Sequence, residues 1–402
     1  MTQPSTGLAT PAASVAAPRS LSPDLVRILE RALEGRELTR AEGLLLAAAG
    51  PDAIGAIAAA ADEVRRRRAG DIVTYVVNRN INFTNVCTIG CRFCAFSVAP
   101  EAADAFDLSL EEIAARAREA WDRGATEVCV QGGLPPDLDG FHYRDILRAI
   151  KRAAPELHIH AFSPMEVTYG AEKTGLSLAD YLRLLRDEGL GSLPGTAAEI
   201  LDDGIRQRLS RDKVTVAQWV DVITTAHRLG IPTTSTMMYG HVEQPAHWVD
   251  QLCLLRDIQR ETGGFTEFVP LGFIHHHTPI FQDGGSRPGP SAADHVKVHA
   301  LARLMLQGRI DNIQVSWVKL DRELSQHCLR AGGNDYSGTL MEENISRSAG
   351  ATAGEYLPPE EFHRRIRELG RVPAQRTTTY QLVRVFSAGE DQEELEGVTR
   401  NT

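Results

Sequence analysis

From Asp71 onward the chain alternates short β-branched runs with amphipathic stretches of helical period. The runs are "DIVTYVV", "TEVCVQGG", "LHIHAFSPME", "LGSLPGT", "IPTTSTMMYGH", "FTEFVPLGF" and "NIQVSWVKL", with a weaker eighth at "DYSGTLMEE". Capping boxes at Ser109 ("SLEE") and Thr215 ("TVAQ") open two of the intervening helices. Repeated strand–helix alternation implies parallel strands joined by right-handed crossovers, and eight such units are what a (β/α)8 TIM-type barrel requires. The competing arrangement is an open doubly wound sheet, which the absence of a GxGxxG after the first run disfavours. Residues 22–68 read as helices instead. Ser22-Pro23 is a cap followed by a first-turn proline, and "TRAE" from Thr39 is a capping box. The expected organisation is a flexible arm (1–20), an N-terminal helical segment (21–70), an α/β barrel (71–350), a C-terminal helical and β segment packed on it (351–386) and a flexible acidic tail (387–402).

Parallel barrels gather their chemistry at the strand C-termini. Here those ends supply Asn80 and Asn82, then Gln131-Gly132-Gly133, Ser163 with Glu166, and Thr196 with Glu199. The later runs end on Tyr239 and His241, His275 to His277, Trp317 with Lys319, and Asp335, Glu342 and Glu343. Consecutive extended residues point to opposite sides, so at most two of the three histidines face one cavity. Trp248 and Trp317 read as core.

Composition changes this picture little. A net charge of −10 over 402 residues, with no long basic stripe, argues against a nucleic-acid surface. "EVRRRR" before Gly70 reads as cations at a helix C-terminus. No apolar run approaches the ~20 residues of a membrane span, the N-terminus has neither the basic start nor the apolar stretch of a signal peptide, and a cytoplasmic location is expected.

Cysteine usage changes it more. Three of the six cysteines, Cys87, Cys91 and Cys94, fall in "NRNINFTNVCTIGCRFCAFS", spaced C-x3-C-x2-C with no fourth nearby. Soft thiolates favour iron–sulfur clusters and zinc. Structural zinc usually takes four protein ligands, whereas three thiolates suit a 4Fe-4S cluster with one iron left open for a substrate. Cys129, Cys253 and Cys328 read as small buried hydrophobes.

The cysteine spacing, with aromatic Phe93 before the last cysteine and the loop following the first strand of a barrel, resembles the radical S-adenosylmethionine (SAM) superfamily. The flanks "GATEVCVQGG", "HAFSPMEV", "PGTAAEIL", "STMMYGHVEQPAHW" and "GGNDYSGTLMEENISR" are similar to the 4-hydroxyphenyl transferases that form the second half of deazaflavin (FO) synthase, over about Asp71 to Thr379. The resemblance implies a transferase that cleaves L-tyrosine and adds its 4-hydroxybenzyl group to C5 of 5-amino-6-(D-ribitylamino)uracil, on the route to coenzyme F-420. It also implies an external electron donor, and the other radical SAM half as functional partner. With one cysteine motif, the chain would be a stand-alone half. The nearest rival is the futalosine branch of menaquinone biosynthesis; a non-catalytic electron carrier would usually supply a fourth cysteine.

By resemblance, Cys87, Cys91 and Cys94 hold the cluster, while Phe93, Gln131, Gly132, Gly133, Ser163, Glu199 and either Arg211 or Lys213 surround SAM. Many relatives carry a glutamate after the glycine pair, where this chain has Leu134. Asn80, Asn82, Tyr239, His241, Glu267, His275, His277, Asp335 and Glu342 are the substrate candidates, since the uracil needs hydrogen-bond partners and tyrosine a carboxylate clamp and a phenol partner.

Overall fold

The structure, a computed structural model, describes residues 21–387. Its strands are β1 (Ile72–Val76), β2 (Asn78–Asn82), β3 (Glu127–Gln131), β4 (His158–Ala161), β5 (Thr233–Tyr239), β6 (Phe265–Gly272), β7 (Asp335–Gly338), β8 (Val372–Arg376) and β9 (Leu382–Val385). Parallel ladders join β2 to β3, β3 to β4, β5 to β6 and β7 to β1. Four single parallel bridges complete the circle: His160 with Ser192, Leu193 with Thr233, Phe268 with Ile313, and Gln314 with Asp335. With β1 and β2 as one interrupted strand, the wall has the eight positions of a closed (β/α)8 barrel.

Two wall positions shrink to bridges for local reasons. In "LGSLPGT", Pro194 lacks an N–H to continue a ladder, and a Cβ on Gly195 would lie 2.1 Å from the Thr234 carbonyl oxygen. In "NIQVSWVKL" the chain leaves the wall at Ser316 and turns through Trp317–Lys319, held where the Trp317 indole N–H donates to the Gly338 carbonyl at 2.9 Å. The first run is longer than its apolar residues suggest. It continues as β2 through the polar "NRNIN", so Asn80 and Asn82 sit within the strand rather than on the loop after it.

β8 is an extra strand. It lies parallel to β1 on the edge that β3 does not reach, since β3 first pairs at Asn78. β9 runs back antiparallel, and the turn between them brings Arg376, Thr378 and Tyr380 to the lower end of the barrel. The helix Pro359–Arg367 fixes this hairpin: Phe362 stacks on Tyr75 of β1 at 4.9 Å and His363 shares a hydrogen bond with the Tyr75 hydroxyl at 2.8 Å.

Capping explains the helix starts. Ser22, Thr39, Ser109 and Thr215 accept from backbone N–H groups of the first turn, as their sequence contexts predict, and Ser163 and Ser291 add two further capping boxes. The helix Pro51–Ala69 ends on the arginine run and Gly70, packed against Ala292–Leu306. Two of those arginines also tie elements together: Arg68 pairs with Asp311, and Arg67 donates to the Leu33 carbonyl at 2.6 Å. Among the described residues no helix is long and apolar enough to cross a membrane.

Candidate active site

Residues 83–98 leave the top of β2 as a loop that neighbouring elements hold in place. Val86 bridges Val98, the Arg92 N–H donates to the Leu209 carbonyl and the Ile280 N–H to the Arg92 carbonyl, each at 2.8 Å. The three half-buried thiols of Cys87, Cys91 and Cys94 line one chamber of about 270 Å³. Burial pushes the Cys91 thiol up to about 12, against the pull of the Lys213 ammonium, so it needs a metal to ionise at neutral pH. Among the described residues no three His, Cys, Asp or Glu side chains converge on a single metal ion. Three soft thiolates around one chamber suit an iron–sulfur cluster, whereas structural zinc usually takes four protein ligands.

The glycine pair after β3 forms the wall opposite. A Cβ on Gly133 would lie 2.0 Å from the Val86 carbonyl oxygen and 3.1 Å from the Cys87 Cβ, so only glycine allows the cysteine loop to lie this close. The Gly132 N–H donates to Glu166 at 3.0 Å, and Glu166 in turn accepts from the Ser163 hydroxyl at 2.6 Å. Burial outweighs these bonds and raises the Glu166 carboxyl to about 7. Glu199, held at a left-handed φ of 39°, accepts from the Lys213 ammonium at 2.8 Å through Oε1, while its buried Oε2 has no hydrogen-bond donor. The Lys213 ammonium also lies 5.1 Å from the centre of the Phe93 ring. Of the two cations expected here, Lys213 lines the chamber; Arg211 is exposed and does not.

Below this chamber lies the barrel lumen, a second cavity of about 250 Å³. Gln131, Thr196, Thr236, Leu271, Lys319 and Ile345 line both, so the two spaces meet. The lumen is polar. Asn78, Asn80 and Asn82 face it from β2, and the Asn78 and Asn80 amides donate to Glu127 (2.9 Å) and Glu343 (2.7 Å). Asn82 donates to the Gln131 carbonyl at 3.2 Å, which fixes the amide orientation and leaves its buried Oδ1 without a donor. On the floor, Arg376 binds both oxygens of Asp335 (2.5 and 3.0 Å), which also accepts from the Thr74 hydroxyl. Glu267 accepts from the Tyr380 hydroxyl at 2.5 Å and the Gln314 amide at 3.0 Å, and burial raises its carboxyl to about 7 against the attraction of Arg376.

Several expected substrate residues are elsewhere. Tyr239 is fully buried on the outer side of β5, where its hydroxyl bonds His295 Nδ1 at 2.7 Å and its ring meets Trp248 edge-on. His241 packs inside its own loop against Glu243 and the Met238 carbonyl. His275 packs on Phe281 and is not in either cavity, and exposed His277 bonds the Ser348 carbonyl at 3.0 Å, latching the segment after β7 across the barrel mouth. Glu342 is taken up by Arg79 and Arg116, while its neighbour Glu343 faces the lumen. Asp335 acts through Arg376 and does not itself line the cavity. Trp248 and Trp317 are core, as expected. Cys328 is buried and Cys253 half-buried, but Cys129 lines the polar lumen instead of packing among apolar side chains.

Glu127, His160 and Arg376 were absent from the sequence-level candidates, yet all face the lumen. Burial lowers His160 to about 4, so it is neutral, and its Nδ1 shares a hydrogen bond with the Ser192 hydroxyl at 2.7 Å. The signal for the first two was parity: Glu127, Cys129 and Gln131 share one side of β3, and His160 shares a side of β4 with His158.

Comparison with known proteins agrees with the barrel fold. Residues 81–252 match the radical SAM superfamily and 262–388 the CofH/MqnC C-terminal region. The chain is 50% identical, over 88% of its own length and 96% of the relative's, to the 5-amino-6-(D-ribitylamino)uracil–L-tyrosine 4-hydroxyphenyl transferase of Methanothermobacter thermautotrophicus. It is 52% identical to the FO synthases of Nocardia farcinica and Mycobacterium tuberculosis, spanning 42% and 43% of their length. In fold it is similar to methylornithine synthase, with a TM-score of 0.66 at 19% identity over 86% of this chain and 97% of that one. The hydrogenase maturase HydG of Carboxydothermus hydrogenoformans gives 0.68 at 16% identity over 89% and 80%. The chain therefore belongs to the tyrosine 4-hydroxyphenyl transferase family of the radical SAM superfamily.

Proposed function

We propose that the protein transfers the 4-hydroxybenzyl group of L-tyrosine to C5 of 5-amino-6-(D-ribitylamino)uracil, the activity named for its archaeal relative. The observation that carries this reading is the stacking of two chambers, one bordered by three thiols and a glycine pair, the other a polar lumen open to it. In this reading Cys87, Cys91 and Cys94 hold a 4Fe-4S cluster with one iron free of protein ligands. Together with SAM and an external electron donor it supplies hydrogen-atom abstraction, a chemistry that no side chain offers. Gly132 and Gly133 line the chamber on the side of the methionine end of SAM, Glu199 Oε2, which has no hydrogen-bond donor although the Arg206 guanidinium lies 3.6 Å away, accepts from one of SAM's donors, and Phe93 flanks the adenine.

The lumen provides what the two organic substrates need. Asn82 offers a fixed acceptor to an N–H of the pyrimidine, and Asn80, Glu127 and His160 are within reach of further polar groups of the ring and the ribityl tail. Held neutral by burial, His160 offers a ring nitrogen for hydrogen bonding in the lumen. The Arg376–Asp335 pair and the Tyr380–Glu267 bond close the lower end against water, which protects a radical reaction from quenching. In this reading the protein acts in the cytoplasm beside the other radical SAM half of FO synthase, and the chain spans 42% of the length of one relative of that name.

The test is anaerobic turnover with SAM, a reductant, tyrosine and the aminouracil. 5′-Deoxyadenosine and a hydroxybenzyl–pyrimidine adduct formed together support the reading. SAM cleavage indifferent to tyrosine, or adenosine attached to an enolpyruvyl benzoate, contradicts it.

A further inference from the structure

Three side-chain cations line the two chambers among the described residues: Lys213, Arg376 and Lys319. The first two are already matched with carboxylates, Lys213 with Glu199 at 2.8 Å and Arg376 with both oxygens of Asp335. Among the described residues Lys319 has no carboxylate at ion-pairing distance. Its ammonium donates to the Ser346 hydroxyl at 2.9 Å, leaving two of its three N–H groups for something else. The closest acid in charge terms, Glu343, is engaged: one oxygen accepts from the Asn80 amide and the other from the Ser346 N–H, both at 2.7 Å. Burial depresses the Lys319 pKa, as expected for an ammonium held in a barrel without a counter-ion.

A recessed ammonium with spare donors is costly unless an anion completes it. Its position is equally informative. Lys319 lines both the cysteine chamber and the lumen, alongside apolar Leu271 and Ile345. A ligand there meets one cation and an apolar wall where the lumen opens into the chamber lined by the cysteines. That is the chemistry of an aromatic amino acid, with its carboxylate on the ammonium and its ring on the apolar side chains.

Resting on the function proposed above, we infer that Lys319 is the carboxylate clamp for tyrosine, holding the amino acid at the junction of the two chambers. The Trp317–Lys319 turn presents it from the seventh wall position, and Ser346, on the segment after β7, steers its ammonium. Tyrosine so placed lies between the thiols above and the pyrimidine in the lumen below.

Tyramine, which is tyrosine without its carboxylate, isolates this contact. Calorimetry on the full chain, reconstituted anaerobically with iron and sulfide, should show tyrosine bound about 10- to 100-fold more tightly than tyramine, the range of a charge-assisted hydrogen bond. Lys319→Met should abolish that preference while leaving the affinities for tyramine, SAM and the aminouracil within about twofold of wild type, by the near-neutrality expected of an uncontacted site. Lys319→Arg should keep most of the preference, and Lys319→Gln, which can retain the Ser346 bond, replaces the methionine variant should that one not fold. A preference undiminished in both neutral variants overturns the clamp, as does a loss of SAM affinity in place of tyrosine affinity. The two readings separate cleanly: adduct formation with an unchanged preference sinks the clamp alone, whereas a Lys319-dependent preference without any adduct sinks the transfer reading alone.

Discussion

Replacing Gly133 by alanine adds one carbon where the glycine pair meets the cysteine loop. The new Cβ would lie 2.0 Å from the Val86 carbonyl oxygen and 2.7 Å from its carbon, against a practical limit of 3.0 Å for such contacts. Both are backbone atoms, so relief requires moving the loop by at least 1.0 Å (3.0 − 2.0) or opening the end of β3. Val86 directly precedes Cys87, so the displacement falls on a thiol. Overpacking of this kind costs about 1–3 kcal/mol of stability, little enough for the barrel to remain folded. A misplacement of ~1 Å at a reacting centre can cost about 100-fold in rate. The expected result for Gly133→Ala is therefore a small fall in melting temperature, reduced iron retention after anaerobic reconstitution, and about 100-fold slower formation of 5′-deoxyadenosine. Gly55→Ala is the control. Gly55 lies within the helix Pro51–Ala69 with open space around its Cβ position, and alanine there should add up to about 1 kcal/mol of stability and leave turnover alone. Wild-type iron content and rate in Gly133→Ala would refute the claim that close backbone approach positions the cysteine loop.

Further outcomes follow from the same contacts. Asp335→Ala strands buried Arg376 without its bidentate partner and should lower stability by about 3–5 kcal/mol in denaturant titration. Tyr239→Phe removes the partner of His295 and should cost about 1–3 kcal/mol while leaving kcat and both KM values unchanged, since Tyr239 faces away from the cavities. Glu166 titrates near 7 when folded against 4.5 ordinarily, so between those values the folded state binds the extra proton and stability falls as pH rises. Glu267, also raised to about 7, contributes in the same direction. Melting temperatures of cluster-free Glu166→Gln should therefore vary less steeply across pH 4.5 to 7 than those of wild type.

Local chemistry made much of this legible in advance. The thiol spacing, the glycine pair and the caps at Ser22, Thr39, Ser109 and Thr215 are short-range signals, and each element forms where its residues predict. The eight wall positions also emerged from the sequence, although two survive only as bridges. What the sequence withheld was which side of each strand faces inward. A strand's side chains alternate, and which set faces inward depends on ring closure, a long-range property. On β5 the inward set is Thr234, Thr236 and Met238, which puts Tyr239 outside despite its place at the strand end. The same one-residue offset separates Glu343, in the lumen, from Glu342, in a surface ion-pair network. Arg376 was hidden for another reason. It reaches the lumen from a hairpin beyond the eighth wall position, and nothing near it in sequence marks β8 as part of the barrel.

Lumen residues gain meaning only if the chamber above them carries an open-cornered cluster. The most direct test is electron paramagnetic resonance on the anaerobically reconstituted, reduced full chain, recorded with and without SAM labelled with nitrogen-15 at its amino group. The account predicts an iron–sulfur signal that shifts when SAM is added and acquires a hyperfine coupling to the labelled nitrogen. Bound zinc in place of iron, or a cluster signal unchanged by SAM, would contradict it.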